Sequence, residues 1–253
     1  MAGYRTDALV LKKRKLGEAD NVLILASPTE GRIDAIARGV RKTSSRFGGR
    51  LEPFSMVQAI LHKGRTFDTV TSVQVSDAHD GLRGDPERTS YAAVVVDVLD
   101  KVMVRGDPEP RLVALADATL TAMETEGADL GALMVAFALK TLAMLGLRPA
   151  LESCAACGGT LVGGAHLSAA AGGAVCDRCR GELPDAASMT KAAREAMAEL
   201  LGETMAEVAA RAPEPLVRGE LYSLTRTLLN ANVHGRLKSL EFLARQPSEP
   251  EVD

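Results

Sequence analysis

Residues 22–38 read VLILASPTEGRIDAIAR, two apolar runs on either side of the turn-forming residues 28–31. The first run suits a short buried strand, and the second alternates apolar and polar side chains with the period of a half-buried strand. Ile33, Ala35 and Ala37 would therefore share one face of that strand. Because a turn of four residues joins the two runs, the pattern predicts a β-hairpin.

Three more strands are expected around this hairpin. The sequence predicts these strands at residues 6–12, 54–61 and 68–75. The last two strands are joined around Lys63-Gly64-Arg65. Five short strands in a small unit favour a barrel of the OB type. Composition alone does not separate this barrel from an SH3-like one.

Helical signals replace the strand signals from about residue 85. Asp85-Pro86 and Asp107-Pro108 each place a capping side chain before a proline, which is typical of a helix start. Helices are therefore expected over 86–105, 108–124 and 129–145. Further along, Ser188 or Thr190 is expected to cap a helix that reaches about residue 209.

A last helix is predicted after Pro213 and Pro215. It carries an apolar stripe whose members are spaced by four, three and four residues: Val217, Leu221, Leu224 and Leu228. Such a stripe covers one helix face and indicates packing against other helices.

The chain has 253 residues, no tryptophan and a net charge of −3, which is divided unevenly. Residues 1–76 contain 13 Lys and Arg residues against 7 Asp and Glu residues, so their net charge is +6 and that of the remainder is −9. This division indicates that the first part meets a polyanion, although it also fits ordinary surface variation. No targeting segment is expected, and Lys140 within the apolar stretch 130–147 favours a buried helix over a membrane span. The sequence thus predicts a cytoplasmic protein whose thiols stay reduced.

Two Cys-x-x-Cys pairs, Cys154 with Cys157 and Cys176 with Cys179, are separated by 18 residues. Four thiolates at this spacing favour one tetrahedral zinc ion, and a closed four-sulfur shell predicts a structural role because no position is open for substrate. Disulfides, redox chemistry and free thiols are the weaker alternatives. His166, between the pairs, is interpreted as a loop residue.

Other catalytic patterns are not found in the sequence. It contains neither a phosphate-binding glycine loop of the Walker type nor a Gly-x-Ser-x-Gly motif. Asp77, His79 and Asp80 resemble a metal cluster in composition but are interpreted as a solvated linker. We therefore expect a binding protein and no enzyme.

Residues 38–50 carry five positive charges, and a loop of this composition can follow a phosphate backbone. Phe47 is predicted to offer a stacking face for a base; the alternative is a flexible connection with solubilising charges. The predicted DNA-binding cations are Arg32, Arg38, Arg41, Lys42, Arg46 and Arg50. Lys12, Lys13, Arg14 and Lys15 form a second candidate patch, of which about half can face one way.

The chain resembles the RecO family of bacterial DNA repair and recombination mediators. The resemblance is carried by residues 4–11 (YRTDALVL), 17–20 (GEAD) with Val22-Leu23, 39–48 with 51–54 (LEPF), the two cysteine pairs, and residues 232–243. It covers both ends and the cysteine region, whereas 85–130 is not distinctive.

This resemblance implies an α+β multidomain protein in which an N-terminal OB-fold β-barrel precedes an all-helical body with an inserted four-cysteine zinc module. The expected domains are 1–78 (OB-fold, DNA-binding), 79–150 (helical, first part), 151–184 (zinc module), 185–246 (helical, C-terminal part) and 247–253 (disordered tail).

The family resemblance also implies the function and the partners. Such a protein would bind single- and double-stranded DNA, anneal complementary strands and, with RecR, help to load RecA onto DNA coated by SSB. The SSB C-terminal tail would dock on the helical body, and the protein would be associated with the bacterial nucleoid. An RNA-binding module and a thiol oxidoreductase that uses Cys154 and Cys157 are the competing hypotheses.

Overall fold

The computed structural model describes residues 3–41, 47, 49–211 and 215–244, and the predicted tail 247–253 lies outside them. The chain folds as two compact units, Met1–Glu124 and Thr125–Asp253. Each unit has its own secondary structure and core. We describe them in turn.

The first unit begins with a closed five-stranded barrel in the order β1-β2-β3-β5-β4. Its strands are β1 (Gly3–Leu16), β2 (Asp20–Ser27), β3 (Gly31–Ala37), β4 (Met56–His62) and β5 (Asp68–Asp77). All neighbouring strands are antiparallel except β3 and β5, which pair in parallel at Ala35 and Asp68. The predicted OB-type barrel is confirmed.

The predicted hairpin is formed by β2 and β3, which pair in register from Asn21 opposite Ala37 to Ser27 opposite Gly31. Burial alternates along β3, and Ile33, Ala35 and Ala37 point into the barrel core. The predicted face of this strand is therefore confirmed.

Strand β1 continues past the predicted end at Lys12, because Lys13 to Leu16 pair with the start of β2. The register shifts between Val10 and Lys12. The basic run therefore lies on a strand, at one end of the barrel wall.

Three helices complete the first unit: α1 (Asp80–Arg83), α2 (Pro86–Val102) and α3 (Pro110–Met123). Asp85 caps α2 as predicted, and its carboxylate accepts hydrogen bonds from the N–H groups of Glu87 and Arg88. The cap predicted at Asp107-Pro108 is wrong. Instead, the segment before α3 returns to the barrel, where Val104 accepts a hydrogen bond of 3.0 Å from the N–H of Arg32.

The second unit is built around α4 (Leu130–Met144), most of whose side chains are buried. A small module follows, with β6 (Ala165–Ser168), β7 (Gly173–Val175), α5 (Asp177–Arg180) and β8 (Ala187–Met189), in the sheet order β7-β6-β8. The remaining helices are α6 (Lys191–Gly202), α7 (Met205–Ala210), α8 (Pro215–Asn232) and α9 (Lys238–Leu243).

Two expectations for these helices have different outcomes. Thr190 caps α6 as one of the two predicted candidates, but the single helix predicted to residue 209 is wrong. A capping box between Thr204 and Glu207 starts a separate helix, α7. The apolar stripe of α8 is confirmed by the burial of Leu221, Leu224 and Leu228.

Helix α4 has 15 residues, and Lys140 within it donates a hydrogen bond of 2.9 Å to the carbonyl of Leu201. Among the residues described, no helix is both long enough and apolar enough to cross a membrane.

Candidate nucleic-acid interface and metal centre

Two of the predicted DNA-binding cations are paired with helix α2. The ammonium group of Lys12 lies 2.7 Å from Oδ1 of Asp97 and 2.6 Å from Oδ2 of Asp100. Arg32 donates to the carboxylate of Asp100 and, at 2.6 Å, to the carbonyl of the same residue. Arg32 also pairs with Asp34 at 3.2 Å.

Burial of Asp100 would by itself raise the pKa of its carboxyl. The hydrogen bonds from Lys12 and Arg32 and their positive charges outweigh this effect, so the pKa lies below its ordinary value. The carboxylate is thus ionised and neutralises the cations that face it. Lys12 and Arg32 thus fasten the barrel to α2, and their contact with DNA stays a prediction.

The rest of the basic run divides in two. Lys13 lies 2.5 Å from the carboxylate of Glu52, so its charge is partly compensated. Arg14 and Lys15 are exposed and have no hydrogen-bond or ion-pair partner in the part of the chain that is described. The role of the whole run in DNA binding stays a prediction.

Arg14 and Lys15 border a groove of about 480 Å³ on the barrel. The groove is lined by side chains from β1, β2, β3 and the loop before β5: Arg14, Lys15, Val22, Ile24, Arg32, Asp34, Thr66 and Phe67. Phe67 was not among the predicted site residues, although it stands beside the basic turn 63–65 and is 39% exposed.

The basic loop after β3 is described only in part. Arg38 is exposed and has no described partner, and the exposed Arg41 donates a hydrogen bond of 3.0 Å to the carbonyl of Gly17. Arg50 is also exposed. Lys42 and Arg46 lie outside the described residues.

The stacking face predicted for Phe47 is wrong. This side chain is 2% exposed and belongs to the barrel core together with Leu51. A buried ring has no face left for a base. Phe47 and Leu51 themselves are packed against the barrel.

The four cysteines come together in the second unit, and their sulfur atoms all lie within 4.8 Å of one another. The sulfur atoms of Cys157 and Cys176 are 3.9 Å apart. A tetrahedron with zinc–sulfur bonds of about 2.3 Å has edges of about 3.8 Å, so the spacing fits a four-sulfur metal shell. A disulfide would require about 2.05 Å.

Backbone hydrogen bonds shape both cysteine turns. The N–H of Gly158 donates to the carbonyl of Cys154 at 2.8 Å, and that of Cys179 donates to Cys176 at 3.0 Å. The N–H of Cys176 also points at the sulfur of Cys154 and helps to lower the pKa of that thiol to about 6. Cys154 therefore favours the thiolate form that metal ions bind, whereas hydrogen bonds with the thiols of Cys157 and Cys176 raise the pKa of Cys179 to about 12.

His166 lies on β6 and not in a loop as expected. Its Nε2 is 2.8 Å from Oδ1 of Asp177, and its side chain is outside the cysteine cluster. The four sulfur atoms thus form the candidate ligand set by themselves.

The interpretation of residues 77–80 as a solvated linker is wrong for His79, whose side chain is fully buried, whereas Asp77 and Asp80 are exposed. Its Nδ1 lies 2.9 Å from Glu124 and its Nε2 lies 3.2 Å from Asp117, with Asp77 at 3.8 Å. Burial lowers the pKa of His79, but these hydrogen bonds and the neighbouring charges raise it above the ordinary value. His79 therefore ties the end of β5 to Asp117 on α3, and its hydrogen bonds favour the protonated imidazolium form.

Comparison with known proteins relates both parts of the chain to one group. The family model for the N-terminal part of recombination protein O matches residues 1–79, and the C-terminal model matches 83–241. The DNA repair protein RecO of Pelotomaculum thermopropionicum is 34% identical over 98% of this chain and 96% of its own length. The proteins of the same name from Symbiobacterium thermophilum and Nocardioides sp. are 32% and 33% identical, each over 96% of this chain and at least 97% of their own length.

Proposed function

Because this chain belongs to the RecO family of DNA repair proteins, we propose that it acts as a recombination mediator without a catalytic site of its own. It binds single- and double-stranded DNA and anneals complementary strands. With RecR it helps to load RecA onto DNA that is coated by SSB. We place this activity in the cytoplasm, at the bacterial nucleoid.

The observation that carries the DNA-binding part is the distribution of unpaired cations on the barrel. Arg14, Lys15 and Arg38 are exposed and have no partner among the described residues, whereas Lys12 and Arg32 are neutralised by α2. Exposed cations without a protein partner are the groups that bind phosphates and release counterions from DNA. Arg41, which donates a hydrogen bond to the carbonyl of Gly17, and the exposed Arg50 add further positive charge.

Phosphate contacts should dominate the affinity because aromatic side chains are few. Of the barrel's aromatics, Phe47 and Phe54 are buried in the structure. Binding is therefore expected to show little sequence preference. Each phosphate contact to a single strand contributes about −0.7 to the slope of log K against log salt.

Zinc is the metal that we propose for the four-cysteine cluster. Cys154, Cys157, Cys176 and Cys179 would bind it as thiolates, and zinc favours this tetrahedral sulfur shell. When bound, the ion cross-links the two cysteine turns and supplies no catalytic chemistry, because its shell is complete. Its role is to fold the segment that carries β6 and β7.

The helical second unit is where we expect the partner proteins to dock, including the SSB C-terminal tail. This part of the proposal comes from the family membership, and we assign no residues to it. We expect the interaction with RecA to be indirect, through RecR and through the DNA that the barrel binds.

Salt-dependent DNA binding tests the interface. A labelled oligonucleotide is titrated with protein at several salt concentrations, and binding is followed by fluorescence anisotropy. Arg14→Gln should make the slope of log K against log salt shallower by about 0.7. The matched control Lys13→Gln removes the same charge from a residue that is paired with Glu52, and it should change the slope much less.

Two results would contradict this assignment. A nearly flat salt response of the native protein would exclude phosphate contacts as the main source of affinity. Equal effects of the two substitutions would place the contacts elsewhere. An RNA oligonucleotide of the same sequence serves as competitor, and strong preference for it would favour the RNA-binding alternative.

A further inference from the structure

Phe67 is an exposed phenylalanine on the barrel surface. It is 39% exposed, whereas the other two phenylalanines of the barrel unit, Phe47 and Phe54, are at most 6% exposed. An exposed apolar ring loses the free energy that burial would provide, and aromatic rings are enriched at binding surfaces. The surroundings of this ring are therefore informative.

The loop that carries Phe67 is held in place by Asp68, which is 3% exposed. The Asp68 carboxylate accepts hydrogen bonds from the N–H of Gly64 at 3.1 Å, from Arg105 at 3.0 Å and from the hydroxyl of Tyr4 at 2.5 Å. Arg105 also donates to the carbonyl of Thr66 at 2.9 Å. The residues on either side of Phe67 are thus fixed by buried or charged hydrogen bonds.

The path of the loop also depends on a glycine. A Cβ atom at Gly64 would lie 2.0 Å from the carbonyl oxygen of Phe67, a distance that no side chain allows. The backbone of the turn therefore approaches the backbone of Phe67 closely. A fixed backbone presents Phe67 to solvent, and the ring does not need to be ordered by its ligand.

Phe67 forms one part of the groove, and the cations Arg14 and Lys15 form another. Val22 and Ile24 contribute apolar surface to its lining. The volume of about 480 Å³ falls within the range of sites that hold small organic groups. Arg32 and Asp34, which pair with each other at 3.2 Å, also line it. The groove thus combines an aromatic face, apolar surface, an ion pair and the unpaired positive charge of Arg14 and Lys15.

This combination matches one nucleotide whose base is not paired. The base offers a flat face to Phe67, and its phosphate offers negative charge to Arg14 and Lys15. In a duplex the faces of each base are covered by its neighbours, so a stacking side chain reaches only unpaired bases. Phosphate contacts, in contrast, are available on both forms of DNA.

We propose that Phe67 is the stacking platform for an unpaired base, an additional contact that single strands make with this barrel and duplex does not. The proposal rests on the DNA-binding function proposed above and identifies the feature of DNA that this groove recognises. Asp68 and Arg105 are positioning residues, since they hold the loop and do not line the groove.

Binding of two DNA forms to the full-length protein tests the platform. Phe67→Ala should weaken binding to an oligothymidylate by about 5- to 150-fold, the effect of removing one stacked base. Binding to a duplex should change less than about twofold, and the salt slope should stay the same because no charge is removed. Phe242→Ala is the control, because it removes another exposed phenylalanine, which is 56% exposed in the second unit.

A second variant gives a direct signal and avoids loss of the ring. The chain contains no tryptophan, so Phe67→Trp carries a single reporter at the groove. Oligothymidylate should quench the fluorescence of this tryptophan and the duplex should not, because quenching requires a base to stack on the ring. Binding to single strands should be retained.

The outcomes separate this inference from the proposed function. If the native protein binds both DNA forms and Phe67→Ala binds them as well as the native protein, the platform is excluded while the DNA-binding function stands. The same holds if both forms quench the tryptophan equally. If the native protein binds neither form, the proposed function and this inference are both overturned.

Discussion

Oδ2 of Asp100 on α2 lies 2.6 Å from the ammonium group of Lys12 on β1, and the same carboxylate accepts a hydrogen bond from Arg32 on β3. One acidic side chain, which is 5% exposed, thus neutralises cations from two strands of the barrel. The basic residues of the barrel therefore form two groups. Lys12 and Arg32 hold the barrel against α2, whereas Arg14, Lys15 and Arg38 remain available for phosphates.

Asp100→Ala is expected to lower the free energy of unfolding by about 2 to 3 kcal/mol, because hydrogen bonds from two charged donors are lost. Urea unfolding followed by circular dichroism measures this change. Asp34→Ala is the matched control, since it removes a more exposed carboxylate that also pairs with Arg32. It should cost less than about 1 kcal/mol. Equal losses for the two variants would contradict a fastening role for Asp100.

His79 should make the stability of the protein depend on pH. Its pKa is raised above the ordinary 6.5 because hydrogen bonds to Asp117 and Glu124 outweigh the effect of burial. A raised pKa in the folded state means that the stabilisation is fully present below the unfolded-state value and is lost as pH rises through the folded-state value.

The comparison of native protein with His79→Gln tests this expectation. Thermal unfolding between about pH 5 and pH 9 should show a difference in stability that is largest at the acidic end and shrinks toward the basic end. His62→Gln changes an exposed histidine of β4 and serves as the control. A difference that stays constant with pH would contradict the imidazolium bridge.

Removal of the metal should unfold the cysteine module and leave the first unit intact. Structural zinc sites contribute binding energies of about 10 kcal/mol or more, and the ion would join the two cysteine turns on either side of β6 and β7. Hydrogen exchange after treatment with a strong chelator should therefore increase in residues 154–179 but not in the barrel strands. Metal analysis should give one zinc ion per chain in the native protein.

Two substitutions in this module distinguish a proposed zinc ligand from a nearby residue that does not bind the metal. Cys176→Ser should abolish zinc retention because the four-sulfur shell is incomplete. His166→Asn should retain the metal, since the imidazole pairs with Asp177 outside the cluster. Loss of zinc in both variants would contradict the four-cysteine assignment.

The parts of the fold that the sequence predicts are those set by neighbouring residues. Alternation along β3 is a property of consecutive side chains, and the hairpin with β2 follows from it. The helix starts at Asp85 and Thr190 were predictable for the same reason, because a cap acts on the next two or three residues. The cysteine cluster was visible from the spacing of its two pairs.

The contacts that the sequence could not show join distant residues. Asp97 and Asp100 lie 85 and 88 residues after Lys12, so the local charge pattern could not show that this cation is neutralised. Phe47 stands in a basic, glycine-containing segment, yet it is packed into the barrel core. His79 is hydrogen-bonded to the carboxylates of Asp117 and Glu124, which lie more than 35 residues later in the sequence.

Phe67 illustrates the opposite case, a functional candidate that the sequence alone could not identify. Its exposure results from a loop whose path is fixed by Tyr4, Asp68 and Arg105, and these residues come from three different elements of the chain. An aromatic beside a basic turn was the only local signal. Burial of Phe47 and Phe54 is what separates it from the other barrel phenylalanines.

The annealing of strands coated by SSB tests the mediator function most directly. Two complementary oligonucleotides are coated with the SSB of the same organism, and duplex formation is followed without ATP, with and without this protein. We expect the native protein to accelerate annealing. A variant with Arg14→Glu, Lys15→Glu and Arg38→Glu should lose this effect. The variant should unfold at the same temperature as the native protein, which shows that its fold is intact. If the native protein leaves the annealing rate of coated strands unchanged, the account of this chain as a recombination mediator is contradicted.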